Sequence, residues 1–243
     1  MRPPPIRTAL SRSRHVEKRV IKSAGGVVSA QNAVAAEIGA EILRAGGDAV
    51  DAAVAVSFAM GVLEPWMSGP VGGGAALHWR ADTGEATAIN FGMRSPAGLD
   101  PALYPLSGEG VAGDLFPWKR VVGDRNLYGA TAVAVPGTVA GLAETHARWG
   151  RMPWSELVAP AVAEARAGMT VDWYAQLVIA SVARELARDP GSAALFLDEG
   201  VWPKGSGWTA VPGVRLDQSR MADSLDQIAR HGAGALHGGD LGA

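Results

Sequence analysis

Apolar residues recur at helical spacing at Val34, Ile38, Ile42 and Leu43. Asn32 can cap the helix they define, which should run to about Ala45 and stop at Gly46-Gly47. Asp48 caps a second helix, about Ala49 to Leu63, with small apolar residues on nearly every side, so it is expected deep in a core. The period then changes to two. Ala75 to Arg80 and Glu85 to Phe91 alternate around Ala81-Asp82-Thr83-Gly84, which predicts a β-hairpin. Upstream, Gly25 to Ala30 reads as a short buried strand. Gly92 to Gly129 has no regular period and is rich in Gly and Pro, with Phe116-Pro117-Trp118 and Gly123-Asp124-Arg125-Asn126 inside it; a loop of this length is expected to be functional or a lid.

Further on, Ala130 to Val135 reads as a strand, and Pro136-Gly137 turns into a helix from about Thr138 to Trp149. Trp154 to Ala167 is a helix with Ser155 as its cap, and Asp172 to Arg188 is another. Asp198 to Val214 is a Gly/Trp/Pro loop. Asp217 to Arg230 is a last helix with Leu225 and Ile228 turned inward. There is no internal repeat, and the mixture predicts an α/β (α+β) chain in which helices pack on a sheet.

Between the second helix and the hairpin lies Glu64-Pro-Trp-Met-Ser-Gly-Pro-Val-Gly-Gly-Gly74. A glycine run cradles phosphate when a helix follows it, because the helix N-terminus supplies the anion-binding amides. Here a strand follows, so the glycines are expected to let backbones approach closely in a layered core.

With its surroundings this run resembles the gamma-glutamyltranspeptidase family of N-terminal-nucleophile (Ntn) hydrolases. The stretch Ala35 to Ala53, with Gly46-Gly47-Asp48-Ala49-Val50-Asp51, is similar to the family's opening pattern. Glu64-Pro65 with Ser68-Gly69 and Gly72-Gly73-Gly74 is a second match. Val133-Ala-Val-Pro-Gly-Thr-Val-Ala-Gly-Leu142 is a third, and Trp149-Gly-Arg-Met-Pro-Trp154 through Leu157-Val-Ala-Pro-Ala161 a fourth. The matches keep the family's order and extend from about Gly26 to the C-terminus. The resemblance implies the αββα four-layer sandwich of Ntn hydrolases, incomplete in this chain, and residues 25–243 as the N-terminal portion of the large subunit.

In that family a Thr freed by self-cleavage supplies its hydroxyl as nucleophile and its new α-amine as base. It opens the C-terminal subunit, where a glycine pair also forms the oxyanion hole. The resemblance therefore implies no catalytic residue within this chain and a C-terminal catalytic subunit as its partner. Thr145-His146 imitates the family's Thr-Thr-His cleavage pattern, but it falls mid-helix, and both residues are expected at solvated helix positions.

The family's first subunit holds the α-carboxylate of the γ-glutamyl group with an Arg after the hairpin, as the planar fork of a guanidinium suits. The matching segment is Ala88 to Ala97; anchored on Pro96-Ala97, that Arg falls on Gly92. Arg94, two residues on, projects to the same face of an extended segment and is the candidate substrate-binding residue. The alternative is that Arg94 caps a carbonyl or pairs with a loop acid. The resemblance then implies three readings. One is acyl transfer from a γ-glutamyl amide such as glutathione. A second is an amidase or cephalosporin-type acylase with an altered acyl pocket, favoured by Gly92. A third is a truncated, non-catalytic fragment that needs a second chain.

Composition narrows this only a little. At 243 residues the chain forms one large domain or two small ones. A hydrophobic share of 48% and a charged share of 19% exclude general disorder. A net charge of −2 gives no reason to expect nucleic acid or an anionic membrane as partner. The exception is a basic, Pro-containing N-terminal arm, residues 1–24, carrying Arg7, Arg12, Arg14, Lys18, Arg19 and Lys22. With no cysteine, disulfides, thiolate zinc sites and a Cys nucleophile are excluded within the chain. No secretory h-region is visible in residues 1–22, which leads to a cytoplasmic expectation, although many members of the family are exported. Gly108 to Gly113 spells G-x-G-x-x-G without a preceding strand or following helix, so no dinucleotide is expected. His15, His78, His146, His231 and His237 lack ligand spacing, so no metal and no cofactor are expected. Trp66, Trp118, Trp173, Trp202 and Trp208 are candidates for an acyl-pocket wall, and Asp124-Arg125 is expected to be a surface ion pair.

Overall fold

Asn32 is extended, and its side-chain oxygen accepts from the Val34 amide at 2.9 Å, which starts α1 (Ala33–Arg44) where the pattern predicts. Gly46, at φ +99°, then turns the chain without a Cβ penalty. In this computed structural model, residues 20–112, 117–205 and 213–242 are described.

Asp48 opens α2 (Ala49–Leu63) with a capping box: its carboxylate accepts from the Val50 and Asp51 amides, and Asp51 accepts from the Asp48 amide at 3.0 Å. As expected from its all-round apolar surface, α2 is buried along most of its length. Gly39 of α1 lets the two helices meet, since a Cβ there would strike Val56 and Val28.

The hairpin forms as β1 (Gly74–Arg80) and β2 (Glu85–Phe91), antiparallel from Gly74↔Phe91 to Arg80↔Glu85. Its inner face, with Phe91, lies against α3 (Thr138–Trp149). α4 (Trp154–Ala167) and the last helix, which is α8 (Ser219–His231), complete the main core around Phe58, Leu157 and Leu225. Trp154 stands edge-on to Phe58, with ring centroids 5.4 Å apart, and its indole N–H donates to the Ile228 carbonyl at 2.9 Å. A second, smaller cluster gathers Met169, Ile179, Leu197 and Leu216 from the segments between α4 and α8.

Several predicted elements change. Gly25 to Ala30 is neither a strand nor buried: it has no pairing partner among the described residues, and Val27 is exposed. The predicted strand at Ala130 to Val135 shrinks to a 3-10 turn at Ala130–Ala132 and one antiparallel bridge, Arg94↔Val135. The long loop contains β3 (Leu106–Val111) and β4 (Lys119–Val121), paired antiparallel with a register irregularity. Phe116, Gly113 and Trp208 lie outside the described residues, as do residues 1–19, most of the basic arm.

Ser155 does not cap α4; Pro153 holds that position with no side-chain bond. The predicted helix from Asp172 to Arg188 breaks at Val182. It becomes α5 (Trp173–Ser181), capped by Asp172, and α6 (Ala183–Leu186), with the Ser181 hydroxyl bonded back to the Val178 carbonyl at 2.7 Å. A further helix, α7 (Pro190–Phe196), follows with Asp189 as its cap and Pro at its first position. The segment after it takes part in two short ladders, one within itself and one back to the residues just after α4. They pair β6 (Leu197–Asp198) with β7 (Trp202–Pro203), and β5 (Met169–Thr170) with β8 (Arg215–Leu216).

The result is a mixed helix-and-sheet chain with one helical layer on one hairpin. The described residues do not form the second sheet or second helical layer of a four-layer sandwich. The hairpin's outer face, with Leu77 76% and Trp79 60% exposed, is left bare.

Candidate functional site

The glycine run works by close approach. The Gly72 carbonyl accepts from the Gly137 and Thr138 amides at 2.8 and 3.1 Å. The N-terminus of α3, which could otherwise bind an anion, is thus occupied by backbone. A Cβ on Gly73 would meet the Met93 backbone nitrogen at 2.6 Å, one on Gly137 would meet the Phe91 carbonyl, and one on Gly141 would enter the Phe91 ring. Gly73, Gly137 and Gly141 thus hold the start of β1, the end of β2 and α3 closer together than a side chain allows.

Around this junction lies a cleft of about 570 Å³. Gly69 to Gly74 form one wall, and Met60, Trp66, Met67, Phe91, Met93 and Met221 contribute apolar surface. Among the described residues no charged side chain lines it. Of the predicted pocket tryptophans, Trp66 alone borders it among the described residues; Trp118, Trp173 and Trp202 are exposed elsewhere.

Arg94 follows Met93 at the edge of this cleft and is exposed. Its backbone is clamped: the amide donates to the Val135 carbonyl at 3.1 Å, and its carbonyl accepts from the Val135 amide at 2.8 Å. Val135 leads through Pro136 into α3. The anticipated pairing of Arg94 with a loop acid does not occur among the described residues. Gly92 is exposed too, its amide donating to the Asn90 side chain at 3.0 Å.

Two buried acids flank the cleft's supports, and sequence reasoning gave neither a role. Asp51 is fully buried and accepts from the Asp48, Arg151 and Met152 amides. It ties α2 to the Trp149 to Trp154 segment, 100 residues on. The signal for it was an acid inside an otherwise apolar helix. Glu64, at the C-terminal end of α2, is also buried. Burial, and secondarily the Asp172 carboxylate, raises its pKa above the ordinary value.

Thr145 is buried rather than solvated, and its hydroxyl donates to the Gly141 carbonyl at 2.7 Å within α3, remote from any cleavable turn. His146 is partly buried, with Nε2 2.8 Å from the Met152 carbonyl. Asp124 pairs with Arg120 at 3.0 Å, not with Arg125, and the guanidinium holds its carboxyl below the usual range. Among the described residues no cluster of His, Cys, Asp or Glu could hold a metal, and no helix is long and apolar enough to cross a membrane.

Residues 35–243 match the family model described as gamma-glutamyltranspeptidase. The chain is 39% identical over 226 residues to an acylase ACY 1 proenzyme from Pseudomonas sp. (strain SE83), covering 93% of this chain and 38% of that protein. It is 36% identical over 223 residues to glutathione hydrolase 3 of Arabidopsis thaliana, covering 92% of this chain and 32% of that one. Its structure is similar to that of Helicobacter pylori gamma-glutamyltranspeptidase, with a TM-score of 0.75 and 26% identity over 90% of this chain and 58% of the other. The chain thus spans under two fifths of the length of these two sequence relatives.

Proposed function

The chain belongs to the gamma-glutamyltranspeptidase family of Ntn hydrolases, and from that premise we propose that it is the front part of the large subunit of an amide-cleaving acyl transferase. The nucleophile, a Thr, lies in a C-terminal subunit outside residues 1–243. Its hydroxyl oxygen attacks the carbonyl carbon of a γ-glutamyl amide such as glutathione, and its α-amine takes the hydroxyl proton. The C–N bond breaks, the protonated amine departs, and the threonyl ester passes the acyl group to water or an amine.

Within this chain Arg94 is the residue that meets substrate, its guanidinium gripping the α-carboxylate of the γ-glutamyl group. One observation carries this: the double hydrogen bond to Val135 fixes the Arg94 backbone beside the cleft while leaving its side chain without an acidic partner among the described residues. Losing a charge-assisted contact of this kind costs about 1.5–3 kcal/mol. In the full-length protein, Arg94→Ala is expected to lower kcat/KM for γ-glutamyl-p-nitroanilide roughly 10- to 150-fold, mostly through KM. Arg94→Lys should recover only part of it, because an ammonium lacks the planar fork. An unchanged KM in Arg94→Ala would remove Arg94 from the site.

A second reading is an acylase for less polar acyl groups. Gly92 in place of the family's Arg and the uncharged wall of the cleft favour it, and a relative at 39% identity is named an acylase. Self-cleavage without γ-glutamyl activity, together with hydrolysis of an aliphatic acyl amide, is the outcome that selects it.

A further inference from the structure

The C-terminal end of α2 gathers polar atoms that nothing among the described residues satisfies. Glu64 is 5% exposed, and its Oε2 has no hydrogen-bond partner among the described residues. Gln218, just ahead of α8, is 6% exposed. Its Nε2 donates to the Val62 carbonyl at 3.1 Å, in the last turn of α2, while its Oε1 has no partner among the described residues. The indole N–H of Trp66, two residues past Glu64, is unpartnered as well.

An ionised Glu64 is poorly served here. It sits at the negative end of α2, where the helix dipole opposes an anion. The charged group that acts on it is another carboxylate, Asp172 at the start of α5, which is engaged with the Ala175 amide at 2.8 Å. Arg215 of β8 is bonded to the Ala167 and Gly168 carbonyls, and Gln218 and Trp66 are neutral. A carboxylic acid behaves differently, because it carries an O–H donor that a lone buried acceptor can take.

We propose that Glu64 is retained as a neutral carboxylic acid whose O–H is taken by Gln218 Oε1, and that this bond is a proton-dependent latch between the cleft-forming turn and the segment entering α8. The Glu64 carbonyl already receives the Met67 and Ser68 amides at 3.0 and 3.1 Å, so this residue anchors the turn that presents Trp66 and Met67 to the cleft. Loss of the proton leaves a bare buried charge at that anchor and opens the turn. The latch stands independently of the acyl-transfer reading.

In the unfolded chain the same group ionises at about 4.3. Above that value the folded state holds a proton that the unfolded state has released. Stability is therefore full below it and falls as pH rises through the folded value, roughly tenfold in the folding equilibrium per pH unit for one proton.

The test uses these residues joined to a family C-terminal subunit, so that the bare apolar faces are covered. Infrared spectra of the wild type at pH 6, where ordinary carboxylates are ionised, should retain a protonated-carboxyl C=O band that Glu64→Gln removes. Denaturant melts should show wild-type stability falling from pH 5 to pH 8 more steeply than that of Glu64→Gln, which keeps a neutral side chain of the same shape. Absence of the band at pH 6, or equal pH slopes for the two proteins, would overturn the latch. If Glu64→Gln does not fold, the wild-type band at pH 6 decides alone.

Discussion

Asp51 is the clearest case of a residue whose role is structural although its chemistry invites a catalytic one. It sits on an apolar helix with no exposure, yet three backbone amides converge on it, from its own helix start and from Arg151 and Met152. Removing the acceptor strands those donors in the core. Asp51→Ala is expected to destabilise the chain by about 3–5 kcal/mol, measured as a shift in urea midpoint at unchanged slope. Asp51→Asn should cost less, because its amide oxygen can still accept. A loss below about 0.5 kcal/mol for the alanine variant would contradict the assignment. Glu64 is the contrasting acid, buried with an acceptor that nothing among the described residues satisfies. The sequence placed both inside family-like motifs without distinguishing them, because the amides that reach Asp51 come from Arg151 and Met152, far away along the chain. The spacing to Pro96-Ala97 put the family's Arg on Gly92 and left Arg94 as a candidate two residues on, and nothing in the spacing pointed to its clamp by Val135.

At the level of elements, local signals predicted what local forces decide. The caps at Asn32 and Asp48, the hairpin register and the inward face of α8 all follow from short-range pattern. The predictions that failed depend on partners. Gly25 to Ala30 and Ala130 to Val135 carry strand-like composition, but a strand needs a neighbour to hydrogen-bond, and among the described residues the second segment bridges to Arg94 alone. The glycines of α3 make the same point with a test attached. Gly141→Ala drives a methyl into the Phe91 ring, and Gly137→Ala drives one into the Phe91 carbonyl. Each should cost about 1–3 kcal/mol. Truncating the ring in Phe91→Ala should offset the Gly141→Ala clash and leave that of Gly137→Ala unrelieved, read as coupling energies in two double-mutant cycles. Equal coupling in both cycles would mean that the ring is not what α3 packs against.

On the scale of the whole molecule, the hairpin presents Leu77 and Trp79 to solvent on a face that a layered fold would cover, and α5 adds exposed Trp173 and Leu177. Apolar faces of this kind drive association. The 243-residue chain alone is expected to self-associate in light scattering at micromolar concentration; a monodisperse monomer with one cooperative melt would contradict the view that these faces await a further layer. Four motifs in order made the family legible in the sequence, whereas the bare faces emerge only once the described residues are assembled. The central claim is that this chain supplies a substrate anchor and scaffold but no nucleophile. Its most direct test is γ-glutamyl-p-nitroanilide release by residues 1–243 alone, beside the same residues joined to a family C-terminal subunit carrying the Thr. The account predicts no release above background for the chain alone and turnover for the joined protein; turnover by the chain alone would contradict it.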